Sequence, residues 1–250
     1  MTDIIPKRII QTYIDERHLQ QFLDKGMPQT FQKLNPDFEI IRYSNDAQEE
    51  FVKNEIPEFY NTFLQLPMKI NKSDFFRLCA IYKYGGFYFD LDVECKKSLE
   101  PLLIHNLIFP VEELLSQEIF LKEKEKGRYK GFTNTKKIFA RMGQYGFAAY
   151  KNHPFILTMI KDIVNDIDDI IDSFQNECNK EDSEYEYWIY NTTATDRANR
   201  SIHTHNPHDL YKLMYPNPSI RNHDKWMYPL YFGEYAVHWC SGVWKKDKTK

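Results

Sequence analysis

The sequence lacks the features that would place it at once in several broad classes of protein. No apolar run approaches the ~20 residues that a membrane-spanning helix needs, and no charged-then-apolar leader follows Met1. A net charge of −3 gives no basic field, so we expect no nucleic-acid partner. The cysteines are few and scattered, which indicates reduced thiols in a cytoplasmic protein rather than a disulfide framework; they are Cys79, Cys95, Cys178 and Cys240.

Apolar and aromatic residues are plentiful by contrast. Hydrophobic residues make up 42% of the 250-residue chain, enough for a sizeable core in one α/β domain. Aromatic residues make up 16%. Sugar rings pack against aromatic faces, so this excess is compatible with carbohydrate chemistry without establishing it.

The stretch from Ser73 to Glu94 carries the clearest pattern in the chain. Ser73 is a candidate N-cap for a helix whose apolar residues repeat at helical spacing. Gly85-Gly86 should end that helix, because glycine takes left-handed backbone angles without penalty. The alternating aromatic and β-branched run Phe87–Val93 then predicts a strand.

Two carboxylates, Asp90 and Asp92, fall on one face of this predicted strand, together with Tyr88. Neighbouring like charges repel, so a shared cation is one explanation. Mg²⁺ and Mn²⁺ prefer oxygen ligands, often one or two carboxylates plus substrate phosphates. A solvated acidic turn is the alternative, since a lone Asp-x-Asp is a common pattern.

Three blocks of sequence together resemble the DXD-containing sugar transferases of glycosyltransferase family 32. The central block is S-D-F-F-R followed by L-C-A-I-Y-K-Y-G-G-F-Y-F-D-L-D-V. The opening Ile5–Tyr13 is similar to the first strand of that family, and Tyr235–Trp244 to its terminal segment. The blocks occur in family order and span nearly the whole chain.

The resemblance implies a GT-A type α/β fold with a Rossmann-like mixed sheet flanked by helices. It implies one domain over residues 1–250, with a nucleotide-sugar half (1–100) and an acceptor half (101–250). The implied reaction moves a sugar from a UDP- or GDP-linked donor to a hydroxyl of a glycan or glycoconjugate, with retention of configuration. Peripheral membrane contact with a lipid-linked acceptor stays open.

The same resemblance implies roles for particular residues. Asp92 would bind Mn²⁺ or Mg²⁺ directly, Asp90 through water or at the ribose, and His238 as a third ligand or a diphosphate contact. Asp92, Asp90 and Arg77 are thus the catalytic candidates. The other donor-binding candidates are Thr12, Tyr13 (for the base), Asp74, Tyr88, Ser241 and Trp244. A dipole-capping Asp74 in a solvated pair with Arg77 is the alternative for those two residues.

Two other functions remain open at this point. Phe89–Val93 also resembles the nucleophile motif of haloacid-dehalogenase-type phosphatases, and a non-catalytic nucleotide-sugar-binding module would keep the same residues. Elsewhere the pattern predicts a helix over Leu19–Leu34, an exposed helical segment over Glu112–Lys126, and a long helix from Pro154 to Ile170. Because of Pro207, we expect His203–His208 to be a loop and not a metal site.

Overall fold

The computed structural model describes residues 4–133, 137–176, 178, 183–205, 212–215 and 230–242. The helices of this part are α1 Glu16–Asp24, α2 Met27–Leu34, α3 Asn45–Glu55, α4 Tyr60–Gln65, α5 Lys69–Tyr84, α6 Gln117–Glu125, α7 Pro154–Asn165, α8 Ile167–Asn176, α9 Ser183–Thr192 and α10 Thr195–His205. The strands are β1 Arg8–Thr12, β2 Glu39–Tyr43, β3 Gly86–Phe89, β4 Val93–Cys95, β5 Leu107–Ser116, β6 Ile138–Met142, β7 Gly146–Ala149, β8 Lys212–Met214, β9 Leu230–Phe232 and β10 Ala236–His238.

A mixed sheet in the order β2-β1-β3-β7-β5-β6, with β8 beside β5, forms the centre of the fold. β1 runs parallel to both β2 and β3, whereas β7 is antiparallel to β3 and β5. A smaller antiparallel sheet joins β4, β10 and β9. The predicted α/β class, a mixed sheet flanked by helices, is confirmed.

The two faces of β3 enter different cores, as its alternation predicts. Tyr88 packs into a cluster with residues of α3, α5 and α7. Phe87 and Phe89 point the other way, toward Phe31 of α2 and Phe232 of the small sheet. β3 is therefore buried on both faces, and it carries the following residues to a fixed place at its carboxyl end.

The helix before β3 starts earlier than predicted, and the strand ends sooner. α5 begins at Lys69, so Ser73 is no N-cap; its hydroxyl donates to Thr12 Oγ1 at 3.3 Å instead. Gly85 ends α5 with φ 68°, as expected. A Cβ on Gly86 would lie 2.6 Å from the carbonyl oxygen of Arg8, so only glycine lets β3 approach β1 this closely.

The strand prediction is wrong beyond Phe89. Asp90, Leu91 and Asp92 form a turn, and Val93 then starts β4 in the small sheet. Three other predictions also need correction. Gly26, with φ 75°, divides the 19–34 helix into α1 and α2; Asp166 separates α7 from α8; and His203 and His205 lie in α10, while 206–208 lie outside the described residues.

The exposed helical segment predicted over Glu112–Lys126 is correct only for α6. Glu112 belongs to β5 and is largely buried, because the apolar run Leu107–Val111 before it is a core strand. Among the helices of the described part, none combines the length and apolarity that crossing a membrane requires.

Candidate active site

A cleft of about 380 Å³ opens at the carboxyl ends of β1 and β3. Thr12 and Tyr13 border it where β1 ends, and Asp90 and Asp92 where β3 ends. In α/β sheets, ligands bind beyond the carboxyl ends of parallel strands. The paired acids thus lie where a ligand crevice is expected.

Asp90, Asp92 and His238 form a compact group in this cleft. Each offers a ligand atom, and these atoms all lie within 4.8 Å of one another. His238 Nε2 is 3.1 Å from Asp92 Oδ1. The register of β10 against β4 explains the meeting, because His238 lies opposite Val93, the residue after Asp92.

Asp92 is held as a carboxylate by its neighbours. Its Oδ2 accepts hydrogen bonds from the Ser241 backbone N–H and hydroxyl, both at 2.7 Å. Burial disfavours the charge, but the His238 imidazole and the Ser241 donors outweigh it and lower the pKa of Asp92 to about 2. Burial alone would lower the pKa of His238, but its contact with the Asp92 carboxylate raises that pKa well above the usual value.

A chain of hydroxyl groups positions Asp90. The Tyr88 hydroxyl donates to Asp90 Oδ1 at 2.6 Å and therefore accepts from Thr12 Oγ1 at 2.9 Å. Ser73 donates to the same Thr12 oxygen. The Arg77 guanidinium lies 3.6 Å from Asp90 Oδ1 and stacks over the Tyr88 ring. Burial nonetheless raises the pKa of Asp90 above its ordinary value.

Asp74 and Arg77 form a buried ion pair, so the alternative of a solvated, dipole-capping pair is wrong. Arg77 Nη2 donates to Asp74 Oδ1 at 2.5 Å, and Nη1 to the Gln144 carbonyl at 3.0 Å. The Thr193 hydroxyl donates to Asp74 Oδ2 at 2.9 Å. Burial raises the pKa of Asp74 to about 6, against the pull of Arg77 and Thr193. We call Asp74, Arg77, Asp90, Asp92 and His238 the floor of the cleft.

The remaining sequence candidates lie around this floor. Tyr13 borders the cleft, and its hydroxyl donates to Glu16 Oε1 at 2.8 Å. Ser241 also lines the cleft. Trp244 lies outside the described residues. The structure thus brings Thr12, Tyr13, Tyr88 and Ser241 together with the floor, although their roles in binding a donor stay predictions.

A second charged group in the cleft was missed by the sequence analysis. Arg141 Nε donates to Glu112 Oε2 at 2.9 Å, and Arg128 binds both oxygens of Asp196 at 3.0 and 2.5 Å. Glu112, Arg128 and Arg141 line the cleft, with Asp196 behind Arg128. We call these four residues the β5–β6 wall. The signal for Glu112 was an acid directly after a five-residue apolar run, the arrangement that also marks Asp90.

Gln144 has hydrogen-bonding capacity that the protein does not use. Its side-chain amide oxygen and nitrogen are both buried, and neither has a partner within the described part of the chain. The Nε atom of Arg77 is also buried without a hydrogen-bond partner among the described residues. Buried polar groups are nearly always paired, so these atoms retain unused hydrogen-bonding capacity at the edge of the cleft.

The mixed α/β sheet and the cleft at the carboxyl ends of β1 and β3 fit the GT-A type architecture that the resemblance implies. A family model described as the glycosyltransferase sugar-binding region containing a DXD motif matches residues 23–109, which include Asp90-Leu91-Asp92. Over residues 23–109 the chain is thus similar to the sugar-binding region of DXD-containing glycosyltransferases. This match favours the transferase over the phosphatase, and the non-catalytic nucleotide-sugar-binding module stays an alternative.

Relatives with curated names include inositol phosphoceramide mannosyltransferase 3 of Schizosaccharomyces pombe, 34% identical over 99 residues. Mannosyl phosphorylinositol ceramide synthase CSH1 of Saccharomyces cerevisiae is 36% identical over 100 residues. Each alignment covers 40% of this chain, and it spans 27% and 26% of the two relatives respectively. Among solved structures, the PaToxG glycosyltransferase aligns with 82% of this chain and 71% of its own, with 14% identity and a TM-score of 0.49.

Proposed function

We propose that this protein transfers a hexosyl group from a nucleoside-diphosphate sugar to a hydroxyl group of a glycoconjugate, with a divalent cation. The observation that supports this most directly is the group of Asp90, Asp92 and His238 at the carboxyl end of β3. The donors to test are GDP-linked and UDP-linked hexoses. GDP-mannose should be tested first, because relatives carry the name mannosyltransferase.

The three side chains fit Mn²⁺ or Mg²⁺. Octahedral bonds of about 2.0–2.1 Å place ligand atoms roughly 3–4 Å apart, and the three ligand atoms lie within 4.8 Å of one another. When bound, the cation supplies charge neutralisation for a departing diphosphate. Asp92 binds it as a carboxylate, since its pKa is about 2, whereas His238, whose pKa is raised by Asp92, must lose its proton before it serves as a ligand.

The other floor residues hold the sugar. Asp74 accepts and Arg77 donates hydrogen bonds, a combination that suits the hydroxyl groups of a hexose. Tyr88 and Thr12 fix Asp90 toward the cation or the ribose. Tyr13, at the end of β1, offers a ring face to the base, and Ser241 closes over the diphosphate.

In the transfer step, the bond from the anomeric carbon to the diphosphate oxygen breaks, and a bond to the hydroxyl oxygen of the acceptor forms. The proton of that hydroxyl leaves with the nucleoside diphosphate. We propose attack on the face from which the diphosphate departs, which retains the configuration without a covalent enzyme intermediate.

A thermal-shift panel of UDP- and GDP-sugars, each with and without Mn²⁺, tests this function. A ligand that binds only the folded state raises its stability by mass action, so the true donor should raise Tm only when Mn²⁺ is present. Release of the nucleotide then confirms turnover. No Mn²⁺-dependent shift and no turnover with any donor would refute the proposal.

A further inference from the structure

Glu112 reaches the cleft through a break in the pairing of β5 with β6. The register shifts between Val111 and Glu113, so Glu112 occupies a β-bulge. Val111 is fully buried, the Glu113 side chain is 50% exposed, and that of Glu112 is 9% exposed and lines the cleft. Bulges re-aim single side chains and are frequent beside active sites.

One oxygen of the Glu112 carboxylate is available to a ligand. Oε2 is bound to Arg141, whereas Oε1 has no hydrogen bond to any residue that the structure describes. A Cβ on Gly143 would come within 2.9 Å of Oε1 and 2.4 Å of the Tyr145 ring. Glycine at position 143 therefore lets the Glu112 carboxylate and the Tyr145 ring pack directly against the backbone.

Arg128 offers a donor in the same cleft. Nε and Nη2 bind Asp196, and aromatic rings of Tyr129 and Tyr190 lie 5.2 and 4.9 Å from the guanidinium carbon. Nη1 makes no hydrogen bond within the described residues. The bidentate pair and the two rings fix the guanidinium plane, so this remaining N–H group points in a set direction.

Glu112 also lies close to the floor. The Tyr145 ring stacks on His238 with centroids 4.6 Å apart, and Gly143 brings Glu112 Oε1 and the edge of that ring together. A single aromatic ring thus separates the carboxylate from the group of Asp90, Asp92 and His238. A molecule bound at Glu112 would be next to a sugar held on the floor.

The charge balance of the β5–β6 wall indicates whether its ligand is charged or neutral. Two acids, Glu112 and Asp196, balance two arginines, Arg128 and Arg141, and the half-exposed Glu113 lies 3.5 Å from Arg141 Nη2 as a further acid. A balanced wall has no net attraction for an anion, while a free carboxylate oxygen and a free N–H suit neighbouring hydroxyl groups.

We propose that Glu112 and Arg128 form the subsite for the sugar acceptor, and that it takes a neutral polyol, a sugar or cyclitol ring. Glu112 Oε1 accepts a hydrogen bond from one hydroxyl, and Arg128 Nη1 donates to the next. This inference rests on the proposed transferase function for its catalytic consequence, although binding of the polyol is measurable without a donor.

The test compares Glu112→Gln with Glu113→Gln. Both remove one carboxylate from beside Arg141, but Glu113 faces solvent. The probes are methyl α-mannopyranoside and myo-inositol as neutral polyols, and mannose 6-phosphate as an anion. Saturation-transfer NMR measures binding without a donor, and nucleotide release with Mn²⁺ and the donor measures the ratio of transfer to hydrolysis.

We expect the wild type and Glu113→Gln to bind the neutral polyols in preference to the phosphate ester. Glu112→Gln should weaken polyol binding and lower the ratio of transfer to hydrolysis by about tenfold to a hundredfold, since a hydrogen bond to a charged group is lost. If Glu112→Gln fails to fold, Glu112→Asp serves instead. It keeps a carboxylate near Arg141, but its shorter side chain moves the carboxylate oxygen away from the ligand, so polyol binding should weaken to a similar degree.

Equal polyol binding in the wild type and the Glu112 variant would overturn the inference, as would preference for the phosphate ester in the wild type. The two proposals fail separately. If polyols bind through Glu112 but no donor supports turnover, the transferase proposal fails and the polyol subsite stands. If transfer occurs and is indifferent to Glu112, the subsite fails and the transferase proposal stands.

Discussion

The floor and the β5–β6 wall are both buried and ionic, but they differ in charge balance. Three acids of the floor, Asp74, Asp90 and Asp92, face Arg77 and His238. The wall pairs two acids with two arginines. Buried charges are costly unless compensated, so the cation that we propose would balance the excess acid of the floor, whereas the charges of the wall balance each other.

The largest effect should come from Asp92→Asn, which removes a carboxylate from the floor. We expect transfer to fall by roughly 10³-fold, because several kcal/mol of charge stabilisation on the leaving diphosphate are lost. Donor binding should also lose its dependence on Mn²⁺, as calorimetry would show. Glu94→Gln, two residues along on β4, is the matched control and should behave as the wild type. Turnover of Asp92→Asn at the wild-type rate with Mn²⁺ would show that transfer does not depend on a cation bound at Asp92.

Breaking a pair in the wall should affect stability first. Arg128→Met leaves Asp196 buried without its partner, which should cost about 3–5 kcal/mol in the free energy of unfolding, measured with urea. The double variant Arg128→Met/Asp196→Leu should recover most of this loss, because no unpaired charge remains. If Arg128→Met lowered the free energy of unfolding by less than about 1 kcal/mol, Asp196 would not depend on Arg128 to compensate its charge.

Removing the ring of Tyr13 tests the edge of the cleft at β1. Tyr13→Ala should raise the Kd for the donor roughly tenfold if the ring stacks on the base. Tyr13→Phe keeps the ring and loses the hydroxyl that donates to Glu16, so its donor affinity should stay close to that of the wild type. Equal affinities for the alanine and phenylalanine variants would place the base elsewhere.

The smallest effect should follow Ser241→Ala. Asp92 loses the hydroxyl donor but keeps the Ser241 backbone N–H at 2.7 Å. One net hydrogen bond corresponds to a change of about twofold to tenfold in kcat/KM. A loss as large as that of Asp92→Asn would show that the hydroxyl contacts the substrate itself.

The floor could be predicted from the sequence because most of it is local. Asp74 and Arg77 on α5 and the two acids directly after β3, Asp90 and Asp92, lie within twenty residues of sequence. The helix, the glycine turn and the strand that carry them to the cleft have strong sequence patterns. His238 joined them only through a resemblance, since its contact with Asp92 depends on the pairing of β10 with β4.

The wall could not be predicted in the same way. Glu112 and Asp196 lie 84 positions apart in the sequence, and Glu112 was predicted to lie in an exposed helical segment. What places Glu112 in the cleft is a one-residue bulge, and bulges leave no periodic signal. The division into halves at residue 100 stays a prediction, and the floor takes residues from both sides of it.

The pairing of β10 with β4 ties occupancy of the cleft to the integrity of the small sheet. His238 lies on β10 and Asp92 immediately precedes β4, so any species that bridges these two side chains also clamps the strands. A ligand that binds both side chains would therefore lower the frequency with which the small sheet opens, in proportion to its occupancy. The amide hydrogen-exchange rates of Ala236–His238 would then report that occupancy without any turnover.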